Sequence, residues 1–135
     1  AKVASGGEVS RIMLALKSIL AKSDRLPILI FDEIDTGISG AIAQRVGDCM
    51  VELGSYHQII AITHLPQVAA AGDAHFRVEK ENDGQATRTS MIRLSESARR
   101  EEIASLLSGE NITEASLRSA RELIESRPRT GTTGL

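Results

Sequence analysis

The chain has 135 residues, 41% hydrophobic and 25% charged, which is enough apolar material for the core of one modest domain. Sixteen Lys and Arg against eighteen Asp and Glu leave a formal charge of -2, which excludes a basic protein that coats nucleic acid. Phe31, Tyr56 and Phe76 are too few aromatics for a base-stacking platform, and a single cysteine, Cys49, excludes an internal disulfide or a thiolate zinc site. Cys49 therefore reads as a small buried hydrophobe in a reducing, cytoplasmic setting. The apolar runs are too short to span a bilayer, and the N-terminus lacks a signal-peptide core.

In chain order, Ser5-Gly6-Gly7-Glu8 leads into Val9, Ile12, Met13, Leu16, Ile19 and Leu20, whose spacing predicts an amphipathic helix. Ser5 and Glu8 have the spacing of a capping box, and the glycines leave the first amides uncovered. Ile28-Leu29-Ile30-Phe31 reads as a strand buried on both faces that ends in Asp32-Glu33. After the turn Thr36-Gly37-Ile38-Ser39-Gly40, a second helix carries Ile42, Val46, Met50, Val51 and Leu53 and stops near Gly54. A strand over 58–62 ends in Thr63-His64, and Leu65-Pro66 opens a short helix through Ala71. Strand, helix, strand predicts a right-handed parallel crossover, with ligands at the carboxyl ends of the strands, where Asp32, Glu33 and His64 fall.

Residues 75–81 and 87–94, around Asn82-Asp83-Gly84-Gln85, alternate as a hairpin expected at a sheet edge. Helices over 96–107 and 114–125 follow, with Ile103, Leu106, Leu107, Leu117 and Leu123 facing inward and Arg99-Arg100 and Glu101-Glu102 on a solvated face. His57 and His75 have no second ligand at useful spacing and are assigned no metal. Residues 127–135 read as a disordered tail.

The paired acids have a mechanical use. Asp32 can hold Mg²⁺ directly or through water while Glu33 orients and deprotonates an attacking water. Taken alone, the pair is equally compatible with two solvated acids at a strand end. A Ser-Gly-Gly helix start can receive a phosphate on its free N–H groups, and His64 can bond a terminal phosphate and the water, although each is common in plain loops. Together, in this order and at these ends, the three are far more specific than any one of them.

Ala4-Ser5-Gly6-Gly7-Glu8 resembles the signature motif of the ABC ATPases, the strand from Ile28 to Glu33 resembles their Walker B strand, and Thr63-His64 their switch histidine. Within that superfamily, the stretches from Ala4 to Arg11, Phe31 to Gly40 and Ile62 to Ala69 resemble the SMC-like ATPases of bacterial DNA repair, and the likeness runs to about Ile124. The resemblance implies an α/β fold, the C-terminal half of an ABC-type P-loop head over residues 1–126. It implies that Asp32 assists Mg²⁺, Glu33 is the base and His64 senses the γ-phosphate. Ser5, Gly6, Gly7 and Glu8 would then contact ATP in trans on a second head, and Ser39 would lie in the nucleotide-contacting D-loop. Two departures stand out: Ala4 replaces the Leu usual in transporters, and Ser39 replaces the D-loop aspartate.

ATP and Mg²⁺ are the implied cofactors. A second head, the missing N-terminal lobe and, through the whole protein, DNA at double-strand breaks are the implied partners; no membrane is. No Gly-x-x-x-x-Gly-Lys-Ser/Thr occurs, so the chain is expected to be a fragment without turnover of its own, with an unpaired apolar strand edge that a partner chain or dimer would cover. An inert dimerisation or scaffold module and a transporter nucleotide-binding subunit are the alternatives.

Overall fold

A computed structural model of the chain describes residues 6–20, 26–32, 37–38 and 40–128, with the side chains of 6–11 and 18 outside that description. Ser5, Glu33, Ser39 and the tail residues 129–135 also lie outside the described residues.

Helix α1 (Gly6–Leu20) precedes strand β1 (Ile28–Asp32), helix α2 (Gly40–Leu53), strand β2 (Gln58–Ile62) and the short helix α3 (Pro66–Ala71). A hairpin of β3 (Phe76–Asn82) and β4 (Thr87–Arg93) leads to α4 (Glu96–Ser108) and α5 (Glu114–Glu125). The elements thus lie where periodicity and breakers predict them. β1 and β2 pair in parallel, Ile28 with Gln58 through Asp32 with Ile62, and Gln58 N donates to Pro27 O at 2.8 Å to open the ladder. α2 supplies the crossover that a parallel pair requires.

Two apolar clusters hold the described residues together. Met13 and Leu20 of α1, Phe31 of β1, Val46, Met50 and Leu53 of α2 and Val68 of α3 form the first. Ala70 of α3, Ile103 and Ala104 of α4 and Ala120 of α5 form the second. α3 belongs to both, so a helix of six residues joins the strand layer to the C-terminal helices. Its approach to α2 depends on Gly47, where a Cβ would stand 3.1 Å from Gln67 O and 3.3 Å from Ala71 Cβ.

Several expectations are corrected. β1 is covered on one face only: Phe31 is buried and Leu29 half-buried, while Ile28 and Ile30, with Ile60 and Ile62 of β2, stand 46–66% exposed. No described element packs on that face, and β2 has no strand on its far side among the described residues. The hairpin is present but forms its own two-stranded sheet, without a ladder to the parallel pair. Leu107 faces solvent, because the small residues Ala104 and Ala120 take the closest positions where α4 meets α5. Arg99 is buried at 3% exposure rather than solvated. Arg127, the first residue of the expected tail, bonds Gly72 O and pairs with Asp73.

The connections are local chemistry. In the hairpin turn Asp83 Oδ1 accepts from Gln85 N and Ala86 N, at 3.0 and 2.8 Å, and Gly84 takes φ +84°, a conformation glycine adopts without strain. Ser95 caps α4 by accepting from Ala98 N, and Thr113 and Ser116 exchange side-chain bonds to each other's backbone N–H at the start of α5.

Candidate functional site

The carboxyl rim of the parallel pair is set by register. Asp32 ends β1 directly opposite Ile62, the last residue of β2, and neighbouring strands lie about 4.8 Å apart. Thr63 and His64 follow at once, so Asp32 and the turn carrying His64 share one rim. The turn is compact: Leu65 N donates to Thr63 Oγ1 at 3.0 Å, Pro66 starts α3, and Ala69 N donates to Leu65 O at 2.9 Å. Leu65 is extended, with φ -85° and ψ 124°, as the residue before a proline should be. His64 therefore stands between a strand end and a helix start.

Asp32 is exposed and offers hard oxygen donors where β1 stops. That is the donor set Mg²⁺ takes from a protein, one or two carboxylates, when phosphates and waters complete its shell. Among the described residues no group of three or more His, Cys, Asp or Glu forms a closed metal cage. Gly6, Gly7 and Glu8 are the first three residues of α1, so their N–H groups are among those a helix leaves unpaired. Glu33, Ser5 and Ser39, which complete the expected constellation, are outside the described residues.

A groove of about 330 Å³ between α1 and α2 is lined by Met13, Leu14, Lys17, Val46 and Cys49, with the Lys17–Glu52 ion pair at its border. Cys49 packs half-buried against the first cluster, and burial pushes its thiol pKa up, so the thiol behaves as the small hydrophobe its sequence context suggests.

Sequence reasoning missed the residues that hold α3. Arg99 Nη2 donates to Ala70 O at 3.0 Å, to Gly72 O and, more weakly, to Ala69 O at 3.4 Å. Arg127 Nη1 donates to the same Gly72 O at 2.8 Å and pairs with Asp73 at 3.0 Å. His75 lies beside this clamp. Its Nδ1 and Arg99 Nε are the buried side-chain nitrogens without a hydrogen-bond partner among the described residues. Burial, and then the Arg99 charge, lower the His75 pKa, against a smaller opposing pull from Glu102. The only local signal was that Arg99 is one turn past the Ser95 cap of α4.

No protein-family model matches the chain. It is 48% identical over 123 residues to the DNA repair protein RecN of Rickettsia conorii, which covers 91% of this chain and 23% of that protein. It is 44% identical over 129 residues to RecN of Treponema pallidum (96% of this chain, 22% of that protein) and 47% identical over 124 residues to RecN of Vibrio cholerae (92% and 22%). The chain thus spans less than a quarter of the length of these relatives. Among solved structures, a chain from work on ATP-driven dimerization and DNA-stimulated activation of SMC ATPases superposes with a TM-score of 0.62 at 23% identity, covering 81% of this chain and 65% of that one. The chain is thus similar in sequence to a segment of the RecN proteins and in fold to that solved chain.

Proposed function

We propose that this segment is the C-terminal lobe of an ATPase head, over residues 1–126, in a RecN-like protein that binds and hydrolyses ATP between two paired heads. The reading rests above all on the parallel register, in which Asp32 and the His64 turn share the rim where ligands of parallel α/β sheets gather. Asp32 would hold Mg²⁺, which supplies charge neutralisation at the phosphate oxygens when bound. Glu33, the next residue, would orient the attacking water and take its proton. His64 would bond the terminal phosphate. Ser5, Gly6, Gly7 and Glu8, at the start of α1, would serve ATP held by the partner head, with Ser39 contributing from the D-loop position. The whole protein would act in the cytoplasm in repair of DNA double-strand breaks, the role printed in its relatives' name being DNA repair. The segment alone has no Gly-x-x-x-x-Gly-Lys-Ser/Thr and would turn over no ATP until joined by the lobe that carries one.

The test is made in the full-length protein. Glu33→Gln is expected to keep ATP binding, slow hydrolysis by about 100-fold or more, and prolong head pairing. Turnover at the wild-type rate would remove Glu33 as base and leave the scaffold module as the better account. Ser5→Arg separates the trans role: each head should still bind ATP while pairing is lost.

A further inference from the structure

We propose that Arg99 and Arg127 are positioning residues for His64, acting through α3; this deepens the preceding reading and rests on His64 meeting the terminal phosphate. α3 has six residues, too few to be stable by its own hydrogen bonds. It also ends without a left-handed cap, because Gly72 is extended at φ -70° and ψ 152°. Ala69 O accepts from Gly72 N at 3.4 Å, and guanidinium groups meet Ala70 O and, just past the helix, Gly72 O. Arg99 reaches Ala69 O, Ala70 O and Gly72 O from α4, and Arg127 reaches Gly72 O from beyond α5. Cations at that end also complement the helix dipole.

The other flank of α3 comes close to α2 at Gly47, where a Cβ would make tight contacts with Gln67 O and Ala71 Cβ. Held on both flanks, α3 is a rigid piece of about 9 Å whose first residue, Pro66, comes two after His64. On its other side His64 is two residues from Ile62, locked in the ladder opposite Asp32. Its placement against the Asp32 rim is therefore set jointly by the β1–β2 register and by the arginine clamp. A buried guanidinium whose Nη2 bonds to carbonyls at the end of another helix suits this, since the charged planar group reaches several of them from one fixed position.

The experiment measures ATP hydrolysis by the full-length protein with Arg99→Met, Arg127→Gln and His64→Ala, singly and combined, with Tm recorded for each. Arg99→Met keeps most of the packing volume and removes the Nη2 donor. It is expected to lower kcat about 10-fold or more with KM for ATP within about 3-fold, as a misplaced catalytic group does. Arg127→Gln, at a side chain about one-third exposed, should give a smaller loss of the same kind. Neither loss should multiply with that of His64→Ala, because all three remove one function. Folded arginine variants with wild-type kcat, or losses that multiply with His64→Ala, overturn the inference while leaving the preceding reading intact. If Arg99→Met fails to fold, Arg127→Gln alone decides by the same criteria. Wild-type kcat in His64→Ala itself overturns both.

Discussion

His75 and Arg99 are where single side chains carry the most information. Each has a buried nitrogen without a hydrogen-bond partner, and they lie close enough for the arginine charge to disfavour protonation of the imidazole. In the unfolded chain His75 takes a proton near pH 6.5, whereas burial and Arg99 lower that value in the folded state and Glu102 opposes only in part. The unfolded state then binds more protons, so the stability tied to neutral His75 is complete above about pH 6.5 and is lost as pH falls below it toward the folded value. Thermal melts of the wild type should show Tm falling between pH 7.5 and pH 5.5. His75→Gln should flatten that part of the profile, and a superimposable profile would remove His75 as its source. The expectation that Arg99 is solvated fails at this same scale. The arginine lies 29 residues from Ala70 in sequence, and no pattern within α4 reveals a carbonyl waiting for it.

At the scale of elements, the C-terminal helices are a packing unit with two kinds of support of unequal size. Thr113 and Ser116 close a capping box at α5, and its loss in Thr113→Ala should cost about 1 kcal/mol. Ile103 is fully buried between Ala70, Ala104 and Ala120, and Ile103→Ala should cost about 2–5 kcal/mol through lost burial and an incompletely collapsed cavity. Urea unfolding of the two variants should therefore rank Ile103→Ala well below Thr113→Ala; equal midpoints would mean that the second cluster adds little to stability. The capping box escaped the sequence reading because a serine, not Glu or Gln, occupies its third helical position. The hairpin turn was legible because Asn82-Asp83-Gly84 carries its own chemistry. Asp83 accepts two backbone N–H bonds, which hold its carboxyl pKa below the usual range.

At the scale of the molecule, one face of the parallel pair is apolar and uncovered among the described residues. Ile28, Ile30, Ile60 and Ile62 share the sheet face opposite Leu29, Phe31 and Ile59, and all four stand 46–66% exposed. Strands so rich in isoleucine are typical of sheets covered on both sides, and this chain spans less than a quarter of the RecN relatives it matches. Kept apart from a covering partner, the face should drive association. Ile30→Lys combined with Ile60→Thr is expected to shift the chain toward monomer in sedimentation velocity, with stability changed by no more than about 0.5 kcal/mol per site. Undiminished association would place the contact elsewhere, for instance on the apolar residues Ile12 and Ile19 exposed by α1.

The order and bounds of the strands and helices, the hairpin turn, and the placement of Asp32 and His64 at strand ends follow from the amino-acid sequence by itself, because apolar period, caps and breakers act within a few residues. The tertiary structure alone decided which face of β1 and β2 is covered, that the hairpin forms a separate sheet, that α3 joins the two apolar clusters, and that Arg99 and Arg127 close its end. Those outcomes depend on which groups meet across gaps of 27 to 55 residues, as Arg99 and Arg127 meet Gly72 O. A guanidinium is a surface charge or a buried clamp according to what the fold brings within hydrogen-bond reach, and local patterning carries no record of that distance.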